Sequence, residues 1–133
     1  VTESSYMENS ERLISTIKEF KEAGFIIEMD DFGSGYSSLN TLKDIDIDIL
    51  KLDVRFLSGT ENREKSKIII SAVINMASAL GLPVIAEGVE TKEQADMLLS
   101  FGCKYMQGYY FSRPVPAAEY EKMLHDTDWI KQL

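Results

Sequence analysis

The chain has 133 residues, 44% hydrophobic and 27% charged, which suits one domain with its own core. No apolar run approaches the ~20 residues of a membrane span, and the acidic opening VTESSYMENS is not a signal peptide, so a cytoplasmic segment without membrane contact is expected. The net charge of -8, with no basic stripe, argues against a nucleic-acid polymer as partner, although a phosphate ligand can bind acidic groups through intervening cations.

Helical and strand-like segments alternate along the chain. Ser10 is placed to cap a helix running to about Ala23, with an apolar stripe of Leu13, Ile14, Ile17 and Phe20 and a stop at Gly24. Phe25 to Met29 reads as a short strand ending at Asp30-Asp31, and Gly33, Ser34, Gly35 and the serines after Tyr36 as a loop. A short helix is expected over 38–43. From Ile45 to Val54 apolar and polar residues alternate as in a strand with one buried face, interrupted by Lys51 between Leu50 and Leu52. Residues 58–65 read as a polar loop. A helix follows over 66–80 with Ile69, Ile70, Val73, Ile74 and Ala77 inward, closed by Gly81. Pro83 to Ala86 forms a buried strand ending at Glu87. Thr91 and Gln94 match a capping box for a helix that carries Ala95, Met97, Leu98 and Phe101 and stops at Gly102. Tyr105-Met106 leads into Gln107-Gly108, and a last helix spans about Ala117 to His125.

This order predicts an α/β fold with a mostly parallel sheet and crossover helices. Two architectures remain open, a doubly wound sheet and a (β/α)₈ barrel. A barrel needs ~250 residues, so about four strands would make half of one.

Polar side chains gather at the carboxyl ends of the strands, where α/β folds carry their sites. Asp30 and Asp31 repel each other unless cations relieve them, and their oxygens suit Mg²⁺ or Mn²⁺. The alternative is a solvated turn pair. Lys51, inside an apolar strand, needs a carboxylate or a task such as holding a nucleophilic water or phosphate charge; otherwise it snorkels outward or pairs with Asp53. Glu87 is placed to bind metal or to act as a general base. Glu90, just before the Thr91 cap, suits a structural or dipole role. Gln107 can hydrogen-bond substrate or a metal-bound water. Cys103, the single cysteine, excludes an internal disulfide and reads as packing, and one histidine, His125, leaves little for Ser–His or Cys–His catalysis.

Thr2-Glu3, DDFGSGYSSL at 30–39, LKLD at 50–53, VIAEGVET at 84–91 and MQGYYFSRPVP at 106–116 together resemble the EAL domain family of bacterial cyclic-di-GMP phosphodiesterases. The resemblance spans nearly the whole chain. It implies a modified eight-stranded β/α barrel of which this is the C-terminal half, residues 1–133 being a partial EAL domain. It implies hydrolysis of cyclic di-GMP to linear pGpG with two Mg²⁺ or Mn²⁺ ions. Carried across, Asp30 and Asp31 bind metal, Lys51 contacts the nucleophilic water, Glu87 binds metal or acts as base, and Gln107 supports the water or metal shell. Phe32 to Ser38 matches a loop that couples metal and substrate binding to dimerisation, which makes a homodimer an expected partner state. Glu3 matches the glutamate that anchors that loop.

The family's E-x-T-E motif places a metal-binding glutamate two residues before Thr2, where this chain does not extend. The EAL signature glutamate and a metal-binding asparagine also fall upstream. The parent domain is therefore expected to be the enzyme and this chain to be inactive alone, with a non-catalytic cyclic-di-GMP receptor or an inert interaction module as alternatives. Half a barrel is further expected to leave Ile45, Ile47, Leu50, Leu52, Val84 and Ile85 on exposed apolar surface, and so to pair with a second copy or rearrange.

Overall fold

The computed structural model describes residues 10–32, 38–55 and 63–126. Among these, nine elements follow in order: α1 (Ser10–Glu22), β1 (Glu28–Phe32), α2 (Ser38–Asp44), β2 (Ile49–Asp53), α3 (Arg63–Ala79), β3 (Val84–Glu87), α4 (Lys92–Ser100), β4 (Tyr105–Gln107) and α5 (Ala117–His125). The side chain of Ser10, the 33–37 loop and residues 56–62 of the next connection lie outside the described residues, as does Glu3. No helix among them is long and apolar enough to cross a membrane.

The strands pair in parallel in the order β1-β2-β3-β4, each beside the next in sequence. That order decides between the two architectures. Right-handed crossovers that always advance the same way put every helix on one face, as in a barrel wall, whereas a doubly wound sheet reverses at a switch point. The faces agree with a barrel wall. Met29, Leu50, Leu52, Val84 and Ala86 are buried, while Asp30, Lys51, Asp53, Ile85 and Glu87 between them keep partial exposure.

Three helices end by the same device. At α1, Phe25 N–H donates to the Phe20 carbonyl (3.0 Å) and Gly24 N–H to that of Lys21 (2.9 Å). Gly24 takes a left-handed φ of 89°, which an L side chain resists. The Phe20 and Phe25 rings meet edge to face at 5.5 Å, supplying the apolar contact of this cap. Equivalent bonds, Leu82 to Ala77 and Cys103 to Leu98, end α3 and α4. The start of α4 carries the full capping box, Thr91 Oγ1 accepting from Gln94 N–H and Gln94 Oε1 accepting from Thr91 N–H.

Four sequence expectations need correction. Strand β1 begins at Glu28, so Phe25 and Ile26 are exposed and Asp30-Asp31 lie within the strand. Strand β2 begins only at Ile49. Ile45 and Ile47 are buried in the preceding connection, and burial changes parity before Leu50 and Leu52. The break is fixed by bonds to a segment distant in sequence, because the Ile27 carbonyl accepts from both Asp48 N–H (2.8 Å) and Ile49 N–H (3.2 Å). Helix α3 starts at Arg63, three residues early, and turns Ser66, Ile70, Ile74 and Ala77 inward, leaving Ile69 exposed. Finally, Ile45, Ile47, Leu50, Leu52 and Val84 are not exposed apolar surface. They are buried, and Ile85 is half-buried on the opposite face. The apolar side of this sheet points to its own helices.

Candidate active site

The polar face of the sheet follows from the buried one. Leu50 and Leu52 are fully buried, each worth about 1.5–3 kcal/mol against solvent. Because side chains alternate along a strand, this fixes Lys51 and Asp53 on the other side. In β3 the burial of Val84 and Ala86 does the same for Ile85 and Glu87. The register then sets Lys51 beside Ile85 and Tyr105, and, one pleat nearer the carboxyl ends, Asp53 beside Glu87 beside Gln107.

Lys51 is the centre of this arrangement. Its Nζ lies 2.8 Å from Glu87 Oε1 and 3.7 Å from Asp30 Oδ2. The hydrogen bond to Glu87 raises the lysine pKa above its ordinary value, against the opposing cost of desolvation. Lys51 is thus an ammonium at neutral pH. It donates hydrogen bonds and stabilises negative charge, and it is not a base. The snorkelling alternative fails, because its side chain is only 19% exposed. Asp53 has its own cation: Arg55 Nη2 lies 3.0 Å from Asp53 Oδ2 and Arg55 Nε 3.2 Å from Oδ1.

Asp31 departs from regular strand geometry. Its φ is 56°, the one left-handed non-glycine backbone among the described residues, and the β1–β2 register shifts between Met29 and Phe32. This is a bulge, in which one extra residue re-aims a side chain. Aspartate tolerates the left-handed region better than most residues, yet the conformation still costs on the order of 1 kcal/mol or more. Asp31 N–H donates to Asp30 Oδ1 at 2.8 Å. The bulge resolves a difficulty in the sequence, since adjacent residues of a regular strand point to opposite faces.

A cavity of about 160 Å³ opens at the carboxyl ends of β3 and β4, lined by Arg55, Glu87, Gly88, Glu90, Gln107 and neighbours. Its floor is tight. A Cβ on Gly108 would overlap the backbone of Val89, where Val89 N–H donates to the Gln107 carbonyl and Tyr110 N–H to that of Val89. Glu90 N–H donates to Gln94 Oε1 at 2.8 Å, which ties this cavity-lining residue to the start of α4. Cys103 is packing, as expected: its thiol is buried, and desolvation raises its pKa.

Asp30, Lys51 and Glu87 are therefore brought together, Gln107 joins them at the level of Glu87, and Asp31 sits on the adjoining bulge. Arg55 and Tyr109 escaped the sequence reading, although an arginine two residues beyond a strand-end aspartate was a usable signal. Hard carboxylate oxygens suit a divalent cation, and Asp30 and Glu87 converge on one point, occupied by the lysine ammonium. Among the described residues no three carboxylate, histidine or cysteine side chains form a group able to hold an ion.

Comparison with known proteins gives this site a family. Cyclic di-GMP phosphodiesterase PdeR of Escherichia coli (strain K12) is 39% identical over 122 residues, 92% of this chain and 18% of that protein. A crystal structure of an EAL domain protein from Listeria monocytogenes EGD-e matches with a TM-score of 0.74 and 41% identity, over 84% of this chain and 45% of that one. Klebsiella pneumoniae BlrP1, solved as manganese/cyclic-di-GMP and calcium/cyclic-di-GMP complexes, matches at 0.77 and 34% identity, over 86% of this chain and 29% of that one. The chain spans between 14% and 26% of the length of the curated relatives it matches. The parallel sheet with its one-sided helices is thus part of an α/β barrel. With the EAL domain family model matching residues 1–114, this chain belongs to the EAL domain family.

Proposed function

We propose that the full-length protein carrying this chain hydrolyses one phosphodiester of cyclic di-GMP to linear pGpG, in a barrel whose wall these four strands only partly form. The observation that carries this reading is the Asp30–Lys51–Glu87 cluster on the uncovered face of the sheet. Asp30, Asp31 and Glu87 would hold Mg²⁺ or Mn²⁺, with remaining ligands from the rest of the barrel. Bound ions would polarise the phosphodiester and lower the pKa of a water.

The chain's own residues do the rest. Lys51, protonated at neutral pH, donates to the attacking water or to a phosphoryl oxygen where charge develops. Glu87, hydrogen-bonded to Lys51, orients that ammonium and serves as metal ligand or as proton acceptor. Gln107, level with Glu87 in the register, offers an amide to the water or metal shell. Glu3 would anchor the 32–38 loop, and a homodimer formed through that loop belongs to the same proposal.

The test is incubation of this chain and of the full-length protein with cyclic di-GMP and Mg²⁺ or Mn²⁺, following pGpG by chromatography. Turnover by the full-length protein alone, abolished by Lys51→Ala or Glu87→Ala, is expected. Binding without turnover by the full-length protein would replace the enzyme by a receptor module. Turnover by the 133-residue chain alone would show that its own residues suffice for the metal shell.

A further inference from the structure

Arg55 stands out because its position is more constrained than its exposure suggests. Its side chain is 59% exposed, yet it is fixed at both ends. Asp53 Oδ1 accepts from its backbone N–H at 2.9 Å, and the Asp53 carboxylate takes its Nε and Nη2. Its stem lies flat across Gly88: a Cβ there would come within 2.5–2.8 Å of Arg55 Nε, Cγ and Cδ. The guanidinium is thereby held over the wall of the cavity that Glu87, Glu90, Gln107 and Tyr109 also line. Asp53 occupies one edge of the planar fork. The Nη1–Nη2 edge remains as a pre-oriented pair of donors.

A cavity of about 160 Å³ is too small for a dinucleotide, since whole-ligand pockets run to ~300–1,000 Å³, so it suits one part of such a ligand. Tyr109, 58% exposed, adds an aromatic wall, and Arg113 stacks over its ring at 5.6 Å. A flat aromatic surface beside two parallel donors is suited to a purine base: the ring stacks while the donors meet two adjacent acceptors. Guanine presents such a pair, O6 and N7. Adenine presents N7 beside an N6 amino donor, which opposes one arginine N–H.

Resting on the proposed function above, we propose that Arg55 is a specificity-determining residue that selects guanine in the bound dinucleotide, its outer guanidinium edge donating to O6 and N7 of one base. Asp53 is then a positioning residue for Arg55. Gly88 is the surface against which the arginine stem is laid.

The experiment measures binding of cyclic di-GMP and cyclic di-AMP to the full-length protein by calorimetry in Ca²⁺, for the unsubstituted protein, R55A and R55K. Both ligands carry the same phosphates, so their ratio isolates the base. R55A is expected to weaken cyclic di-GMP binding roughly ten- to hundredfold and to change cyclic di-AMP binding little. R55K, which keeps the charge but lacks the fork, is expected to lose the preference as well. Circular dichroism and melting confirm folding, which an exposed side chain should permit. Equal losses for both dinucleotides would overturn the base reading and assign Arg55 to phosphate. An unchanged preference in R55A, beside clear binding by the unsubstituted protein, would overturn this inference alone. If the unsubstituted protein binds neither dinucleotide, the proposed function falls with it.

Discussion

Replacing Lys51 by Met tests the centre of the site through stability, independently of any ligand. Methionine preserves most of the aliphatic stem, so the change removes charge rather than volume. At 2.8 Å, opposite unit charges attract by about 6 kcal/mol at an effective dielectric of ~20, before desolvation is subtracted. Net values for charged hydrogen bonds fall to about 1.5–3 kcal/mol. Both partners are only 19% exposed, so solvent screens this pair less than a surface pair. The second contact, to Asp30 at 3.7 Å, adds less because that carboxylate is 41% exposed. The variant also strands Glu87 without its cation. We expect a loss of about 2–3 kcal/mol, a fall in Tm of roughly 8–12 °C for a domain of this size. The folded-state pKa of Lys51 lies above its unfolded value, so the stabilisation is complete below the ordinary lysine value of about 10.4 and disappears only as pH climbs through the raised one. The deficit should therefore stay flat between about pH 6 and pH 9. Thermal melts of the wild type, K51M, E87Q and the double variant give the coupling directly. A coupling near zero, or a fall in Tm below about 2 °C, would refute the reasoning.

Three further outcomes follow from other parts of the fold. Asp31→Gly relieves the left-handed backbone and should raise stability by up to about 1 kcal/mol in denaturant melts while removing metal-dependent turnover; a loss of stability would show that the bulge is not strained. Gly108→Ala drives a methyl into the Val89 backbone, so β4 must shift and both melting and pGpG formation should suffer; an unchanged melt would mean that the floor of the cavity yields cheaply. Asp48 accepts from Ile27 N–H at 2.8 Å and pairs with Lys21 at 3.0 Å, and the backbone bond, then the lysine, lowers its pKa. Its contribution is present above the ordinary aspartate value, about 3.9, and is lost as pH falls through the depressed one. Asp48→Asn should therefore melt lower than wild type at pH 7, with the gap closing in acid; a gap independent of pH would remove the charge from the explanation.

How far the sequence could be read depended on whether the deciding physics was local. The stops at Gly24, Gly81 and Gly102 and the Thr91 capping box were legible, because each is settled within about six residues. The last helix was placed over its observed range for the same reason, with Pro116 immediately before Ala117. Ile45 and Ile47 misled because alternation continues through them while the chain is not yet in a strand. Their burial comes from tertiary packing, and the parity change before Leu50 depends on bonds to Ile27, 21 residues away from Asp48. Ile69 looked inward by spacing, but the helix phase is set by Ser66, Ile70, Ile74 and Ala77. Asp30, Lys51, Glu87 and Gln107 were singled out by their strand-end positions, whereas the Lys51–Glu87 pairing needed the register. Arg55 was missed because its role depends on lying across Gly88, 33 residues further on.

The placement of the chemistry is a consequence of the core. A slip of one residue in β2 would turn Leu50 and Leu52 outward and bury Lys51 and Asp53, a change that hydrophobic transfer and charge desolvation both oppose. The apolar residues thus fix which side chains meet on the open face, and do so from the opposite side of the sheet. Only at Asp31 does the arrangement depart from this rule. There the strand adopts a bulge with a left-handed aspartate, so that the neighbours Asp30 and Asp31 are not held to simple alternation. The strain thus falls next to Asp30, which faces Lys51, and strained backbone of this kind is more often found at sites than in plain scaffold.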